Sequence, residues 1–540
     1  MGGHLSEMNI LTRKARTAGN YLSLYRSRFA RPAANRWFAK IACQVSIERE
    51  GAILCEALWD HPHHWLRLAM FRNALAPIYG SGLIGVYEES TPRSVVASLR
   101  SLPLTSEETI PRAVPDVYGC RAKNMLRDVR TPTDVLDLDI APGYPTHFFY
   151  DGVLKIEMSG TLNGESIDLW RHLARTLFYI DTYRDILDRH DIRAVVVSHP
   201  TTLRFSTLVW AAVARSIPVF VINYRNQHIT ARKLTTIDEI GTVSEDVPSV
   251  ADRDRLSPDQ RSRLIGVGQN FIDDLHSGKR GEIAVTGAFG DGKAKIQDRK
   301  QLARMLGSDP DKPNVVVLTS CWPDFPNALG RSYLTDHVDW FERTLAVARE
   351  VGDFNWIFKP HPAEEMYGRK TTLHKLLYSR LGSGIYLWPE RASGVDVVSC
   401  ADCAVTAVGS VGFEYPAIGA RAVVARENAY TDWGFCNYAR NGNEYADMLR
   451  HATDLPLPDR RKQEDALIYM ALRLTTPANT QNGDYRYPLG RISYRLWPGL
   501  PDFIEKNLEN IDHEIRMMEH WLRSDSPSYN VFKGLHSELW

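Results

Sequence analysis

The chain has 540 residues, of which 44% are hydrophobic and 24% charged, and 65 Lys and Arg balance 65 Asp and Glu. That length exceeds one ordinary core and predicts two large domains with extensions, while zero formal net charge argues against a nucleic-acid binder or a strongly acidic partner. No run approaches the ~20 apolar residues of a membrane span, the N-terminus lacks the apolar core of a signal peptide, and seven scattered cysteines suit reduced thiols, so a cytoplasmic protein is expected.

In chain order, residues 1–40 form a basic arm with Arg13, Lys14, Arg16, Arg26, Arg28, Arg31, Arg36 and Lys40 against the single acid Glu7. Such a leader could touch anionic lipid as a peripheral protein at the inner face of the cell membrane, or be a plain solvated arm. Residues 41–245 read as a first α/β domain. Its predicted strands are 52–57, 83–87, 194–199 and 218–223, with helices at 169–189 and 203–215. Residues 246–311 are polar and read as a connection with one helix near 259–275. A second βα series fills 312–475, with strands at 314–320, 355–358, 384–387, 403–406 and 420–425, and helices at 333–351, 372–381 and from about Gly412. Residues 476–540 read as a surface crossing at 485–500 and one closing amphipathic helix at 502–524. The alternation predicts an α/β protein of two Rossmann-like domains facing a central cleft.

Two stretches of the second half carry the chemistry. Trp356-Ile-Phe-Lys359-Pro-His361-Pro-Ala-Glu364-Glu365 and Ala407-Val-Gly409-Ser410-Val-Gly412-Phe-Glu414-Tyr415-Pro are apolar runs that end in polar or glycine-rich residues. Buried parallel strands deliver loops in this way to the edge where open α/β sheets bind ligands. Lys359 and His361 supply charge and N–H donors, and Glu364 lies on the same loop. Gly409, Ser410 and Gly412 supply backbone amides and a hydroxyl at a helix start, where anions bind well. Glu414 is placed one turn on, within reach of ribose hydroxyls. Together the loops predict the walls of a nucleotide-phosphate pocket.

Other motifs weigh less. Gly287-Ala-Phe-Gly290-Asp-Gly292-Lys293 has the spacing of a P-loop, but Ala294 stands where Ser or Thr must ligate magnesium. Cys400-Ala-Asp-Cys403 has no further ligands nearby and reads as two buried thiols, so no metal site is expected. Asp137 and Asp139 read as surface acids. In the first half, Glu56, Asp60 and His61-Pro-His63-His64 follow the first strand and read as a substrate-facing loop. Ser198-His199-Pro200 ends another strand. Phe149-Tyr150-Asp151-Gly152 reads as a turn whose acid could be a general base. Spacing does not choose a base among Glu56, Asp60 and Asp151.

The run Val317-Leu-Thr-Ser-Cys-Trp-Pro-Asp324, with Asp339-Trp340-Phe-Glu-Arg-Thr-Leu, Asn355 to Pro362 and Val408 to Gly419, resembles bacterial capsule and surface-polysaccharide biosynthesis proteins of the GT-B glycosyltransferase class. The likeness is sharp between 314 and 445 and looser through Ile53-Leu-Cys-Glu56 and Val195-Val-Val-Ser-His199. It implies a nucleotide-sugar donor bound mainly by the second domain and a polysaccharide or glycolipid acceptor bound mainly by the first, near His61, His63 and His199. The His-Pro element is also similar to that of bacterial sialyltransferases and Kdo transferases, which implies that His361 meets the donor phosphate with Ser410 assisting. Gly409-Ser410 departs from the Ser-Ser or Ser-Thr pair of sialyltransferases, and no Asp/Glu-Asp/Glu-Gly base motif is present, which leaves the nucleotide and the anomeric outcome open. No tightly bound cofactor is expected. A polyol-phosphate transferase with a CDP-linked donor, a nucleotide-sugar epimerase and a nucleotide-binding scaffold of an assembly complex are the alternatives.

Overall fold

The computed structural model describes residues 30–44, 49–57, 61–166, 168–225, 228–240, 248–276, 298–328, 330–362, 371–378, 384–389, 396–474 and 497–526, with a few short pieces beside them. Asp60, Glu365, the basic residues before position 30, the 287–293 glycine motif and most of the 485–500 crossing lie outside the described residues.

The first sheet contains β1 (Ala52–Glu56), β2 (Gly82–Glu88), β3 (Ser106–Ile110), β4 (Ile192–Val197), β5 (Val219–Arg225), β6 (His228–Leu234) and, from near the end of the chain, β13 (Ser528–Tyr529). Their order is β13-β6-β5-β4-β1-β2-β3, parallel from β5 to β3 and antiparallel at β6 and β13. The second sheet contains β7 (Asn314–Leu318), β8 (Asn355–Lys359), β9 (Ile385–Leu387), β10 (Cys403–Thr406), β11 (Ala422–Val424) and β12 (Asn437–Tyr438), in the order β12-β11-β10-β7-β8-β9 and parallel throughout. Parallel strands covered by helices on both faces must be apolar throughout, and every residue of β1 and β10 is buried.

In each sheet the chain order reverses once, between β1 and β4 in the first and between β7 and β10 in the second. A crevice opens at the carboxyl ends of strands where order reverses, because the flanking connections leave in opposite directions. These two crevices face each other. Lys155 on the helix Thr146–Glu157 pairs with Asp324 after β7 at 2.6 Å, and the His199 ring after β4 lies 5.6 Å from that of Phe325. Two Rossmann-like domains opposed across a cleft is the GT-B arrangement.

Several expectations need correction. His61 to His64 is not a loop: Pro62 starts the helix Pro62–Tyr79, at a position where its missing N–H leaves no bond unmade, and His63 and His64 are buried in the first turn. Asp151 sits within the helix Thr146–Glu157 rather than in a turn. The closing helix is two helices, Leu500–Lys506 and Leu508–Leu522, meeting at Asn507. In the stretch read as a connection, the helix Pro258–His276 packs into the second domain, its Leu264 and Ile272 sharing one buried cluster with Tyr469 and Met470 of the helix Arg460–Leu474. Gly268 makes that crossing possible, since a Cβ there would stand 2.3 Å from the Leu467 carbonyl oxygen. The last part of the basic arm is a helix over residues 30–42 whose Ala34, Phe38, Ile41 and Ala42 are buried in the first domain. Arg31 lies 4.0 Å from the Trp497 ring and Lys40 4.5 Å from that of Trp37, so aromatic faces hold these two cations. No described helix is long and apolar enough to cross a membrane.

Candidate functional site

Three loops at the carboxyl edge of the second sheet surround its crevice. After β8, the Lys359 carbonyl accepts from the Thr319 N–H at 3.0 Å and its hydroxyl at 3.2 Å, which ties the β8 loop to the β7 loop. His361 follows, half-buried. Burial, with the Lys359 cation second, holds the His361 pKa below its ordinary value, and Asp324 pulls the other way. His361 is therefore neutral near pH 7, with one ring N–H to give and one nitrogen to accept.

After β10, the Gly409 N–H donates to Thr406 Oγ1 at 3.2 Å and the Tyr430 hydroxyl donates to the Gly409 carbonyl at 2.7 Å. Gly412 has to be glycine, because a Cβ would stand 2.4 Å from the Tyr430 hydroxyl. The amides of Gly412, Phe413 and Glu414 are taken by the Gly409 and Ser410 carbonyls. An anion at this turn would thus meet the exposed Ser410 hydroxyl and the amides of 410 and 411, with Glu414 in the first helical turn behind them.

The β7 loop joins the domains. Phe325 holds a left-handed backbone at φ 48°, unusual for a bulky residue and a form of local strain found at functional sites. Asp324 beside it is exposed, and its charge works against the lowering that burial imposes on the pKa of His361 and His337 from one domain and His199 from the other. His337 is buried and lowered to about 3 by desolvation and then by Arg426. Arg426 is itself buried and donates to the Gly330 carbonyl at 2.7 Å. Asp324 went unrecognised as a site residue in the sequence. The available signal was an acid six positions beyond a buried strand at the point of reversal.

Asp151 is buried at the seam, where its Oδ2 accepts from the Asn327 N–H at 2.7 Å and its Oδ1 from Asn327 Nδ2 at 2.9 Å. Desolvation raises its pKa to about 7 against the opposing pull of those two bonds. Next to it the Tyr150 hydroxyl donates to Asp336 at 2.5 Å, and the Gly160 N–H donates to Thr371 Oγ1 at 2.9 Å.

The structure therefore sets Lys359, His361, Gly409 and Ser410 at the carboxyl edge of one sheet with Glu414 behind them and His199 on the other domain, while Asp151 is enclosed in the seam. Others are placed elsewhere. Glu364 accepts from the Trp322 indole N–H and, at 2.6 Å, from the Leu373 N–H, which anchors the β8 loop. Glu56 is buried and accepts from the Ser198 N–H at 3.0 Å and from its hydroxyl, bridging the ends of β1 and β4 behind the cleft wall. His61 stands at the start of its helix with its ring 5.2 Å from that of His63. Asp137 pairs with Arg331 at 2.7 Å on the surface. Cys400 and Cys403 are buried, and burial pushes the Cys403 thiol up to about 12. Among the described residues no group of three His, Cys, Asp or Glu could hold a metal ion.

No family model matches the chain, and no curated protein matches its sequence. Among solved structures the chain is similar to KpsC, a beta Kdo 2,4 transferase of Thermosulfurimonas dismutans, at 14% identity over 52% of this chain and 79% of that one, with a TM-score of 0.33. It is also similar to the UDP-GlcNAc 2-epimerase of Neisseria meningitidis bound to UDP-GlcNAc, at 12% identity over 85% and 99% and a TM-score of 0.23. Arabidopsis thaliana UGT89C1 complexed with UDP matches at 12% identity over 87% and 100%, with a TM-score of 0.25. Likenesses at this level say nothing about chemistry.

Proposed function

We propose that the protein is a GT-B glycosyltransferase that moves a sugar from a nucleotide-activated donor to a surface or capsular polysaccharide or glycolipid acceptor. The observation that carries this reading is the opposition of two crevices, each at a reversal of strand order. The neutral His361 with Lys359 and Ser410 lies on one side, and Asp324 stands between the domains.

On this reading the donor phosphate lies between the Lys359–His361 loop and the Gly409–Ser410 turn. An acceptor hydroxyl attacks the anomeric carbon, the bond from that carbon to the phosphate oxygen breaks, and the phosphate leaves with the electron pair. His361 gives its N–H to the departing oxygen and Lys359 offsets the growing charge, a preorganised stabilisation that needs no metal. Asp324 receives the acceptor proton, with Lys155 orienting its carboxylate.

The experiment is a thermal-shift screen against UDP, GDP, CMP and CDP and their sugar or polyol conjugates, followed by turnover of His361→Ala. A ligand at a hundred times its Kd stabilises by about 2.7 kcal/mol, which is readily seen. His361→Ala is expected to lose ~10²-fold or more in turnover. Full turnover in a folded His361→Ala protein removes this histidine from the mechanism. Conversion of the donor sugar to its epimer without acceptor would make the protein an epimerase. Nucleotide binding without any donor cleavage would make it a scaffold.

A further inference from the structure

The first domain carries a second concavity outside the cleft. A pocket of about 410 Å³ lies between the helices Asp116–Met125 and Leu169–Arg189, with Asp116 and Gly119 on one wall and Trp170, Arg171, His172 and Arg175 on the other. Its cations are held in place. Arg175 donates to the carbonyls of Pro111, at 2.9 Å, and Arg112, and lies 5.8 Å from the Phe178 ring and 5.6 Å from that of Tyr179. Lys123 Nζ stands 4.4 Å and the Arg171 guanidinium 5.1 Å from the centre of the Trp170 ring, and Arg171 pairs with Asp168 through one nitrogen. Trp170 is half-buried, and its indole N–H meets no acceptor among the described residues.

We propose that this pocket binds a carboxylate-bearing sugar unit of the acceptor chain, away from the unit that reacts. The proposal rests on the glycosyltransferase reading. A pyranose ring offers a C–H face to an indole, hydroxyls to Asp116 and the indole N–H, and a carboxylate to the second hydrogens that the terminal nitrogens of Arg171 and Arg175 still carry. Side chains already fixed by carbonyls and rings lose little freedom on binding, so a shallow pocket can still bind specifically. Gly119 keeps the facing wall back, since even a Cβ there would stand 3.4 Å from the Trp170 ring.

The pocket is also joined to the cleft. His172 Nε2 and Glu157 Oε1 are 2.7 Å apart, and Glu157 ends the helix whose Lys155 pairs with Asp324. An acceptor whose terminal hydroxyl reaches Asp324 and whose chain follows this helix arrives at Trp170. A monosaccharide cannot occupy both places.

The test is calorimetric titration of the full chain with tetragalacturonate and, as the neutral probe, maltotetraose. Tetragalacturonate is expected to bind at least tenfold more tightly than maltotetraose, and Trp170→Ala and Gly119→Leu are each expected to weaken it tenfold or more. Gly119→Leu fills the pocket with a strong helix former, so it tests the site if the alanine variant misfolds. Nucleotide thermal shifts should be unchanged in both. Equal tetragalacturonate binding by the wild type and Gly119→Leu, or equal binding of the two probes, overturns the proposal. Loss of the nucleotide shift in the wild type overturns the glycosyltransferase reading instead, and leaves the glycan result to stand alone.

Discussion

Asp324 shows what a single residue can do when three histidines sense it. Its carboxylate is exposed, paired with Lys155, and placed where charge from either domain converges. On the proposed mechanism Asp324→Asn keeps the shape and removes the base, so turnover is expected to fall ~10²- to 10⁴-fold with nucleotide affinity unchanged. An Asp324→Asn protein with full turnover would return the base role to another group. His64, His337 and His147 make a different prediction, about stability. Burial is the first cause in each, and their pKa values are lowered to about 3, about 3 and about 4. Unfolded, they take up protons near pH 6.5; folded, they do not until far lower. Between those values the unfolded chain binds more protons, so their contribution is complete above pH 6.5 and declines as pH falls. Asp151, raised to about 7, acts in the opposite direction over part of the window. Urea midpoints measured from pH 7.5 to 4.5 should decline, and less steeply in His337→Gln. A flat profile would mean that these histidines are not buried neutral. The places of Lys359, His361 and Ser410 at the carboxyl edge of the sheet were legible because each ends or follows an apolar run, whereas Asp324 and Asn327 sit in a loop with no periodic signal.

At the level of elements, legibility followed periodicity. The helix Leu169–Arg189 was readable to the residue because one face is buried and the other solvated. The helix Pro62–Tyr79 was missed because every residue from Pro62 to Ala76 is buried, which leaves no stripe to read. β3, Ser-Glu-Glu-Thr-Ile, is an edge strand with little apolar content and gave no run. Within the helix Pro258–His276, two glycines two residues apart make a paired test. Nothing lies within 4 Å of a Cβ at Gly266, so Gly266→Ala should stabilise by about 0.5–1 kcal/mol through helix propensity. At Gly268 the Cβ would strike the Leu467 backbone, so Gly268→Ala should destabilise by about 1–3 kcal/mol despite the same gain. Melting temperatures that move the same way in both variants would show that the two helices do not cross as closely as described.

For the molecule as a whole, the alternation of strands and helices was enough to read two opposed α/β domains, but not how they are joined. The joining bonds, Asp151 to Asn327 and Tyr150 to Asp336, span 176 and 186 residues of sequence and leave no local trace. Asn327→Ala keeps the backbone bond but removes the Nδ2 bonds to the buried Asp151 carboxylate and to the Thr335 carbonyl, and is expected to cost about 1–3 kcal/mol. The loss should appear as a lower melting temperature together with a larger radius of gyration by small-angle scattering. A variant as compact and as stable as the wild type would show that other contacts hold the domains together.

The same seam sets a tempo. On the glycosyltransferase reading, product nucleotide leaves a crevice whose β7 loop Asn327 and Asp336 pin to the first domain, so a release step that opens the cleft parts these bonds and remakes them. Such a motion works against solvent friction, whereas bond breaking at an anomeric carbon does not. The steady-state rate should therefore drop as sucrose thickens the buffer, while a single turnover from a preloaded complex proceeds at its usual speed. On that reading, fastened domains make release the slow step.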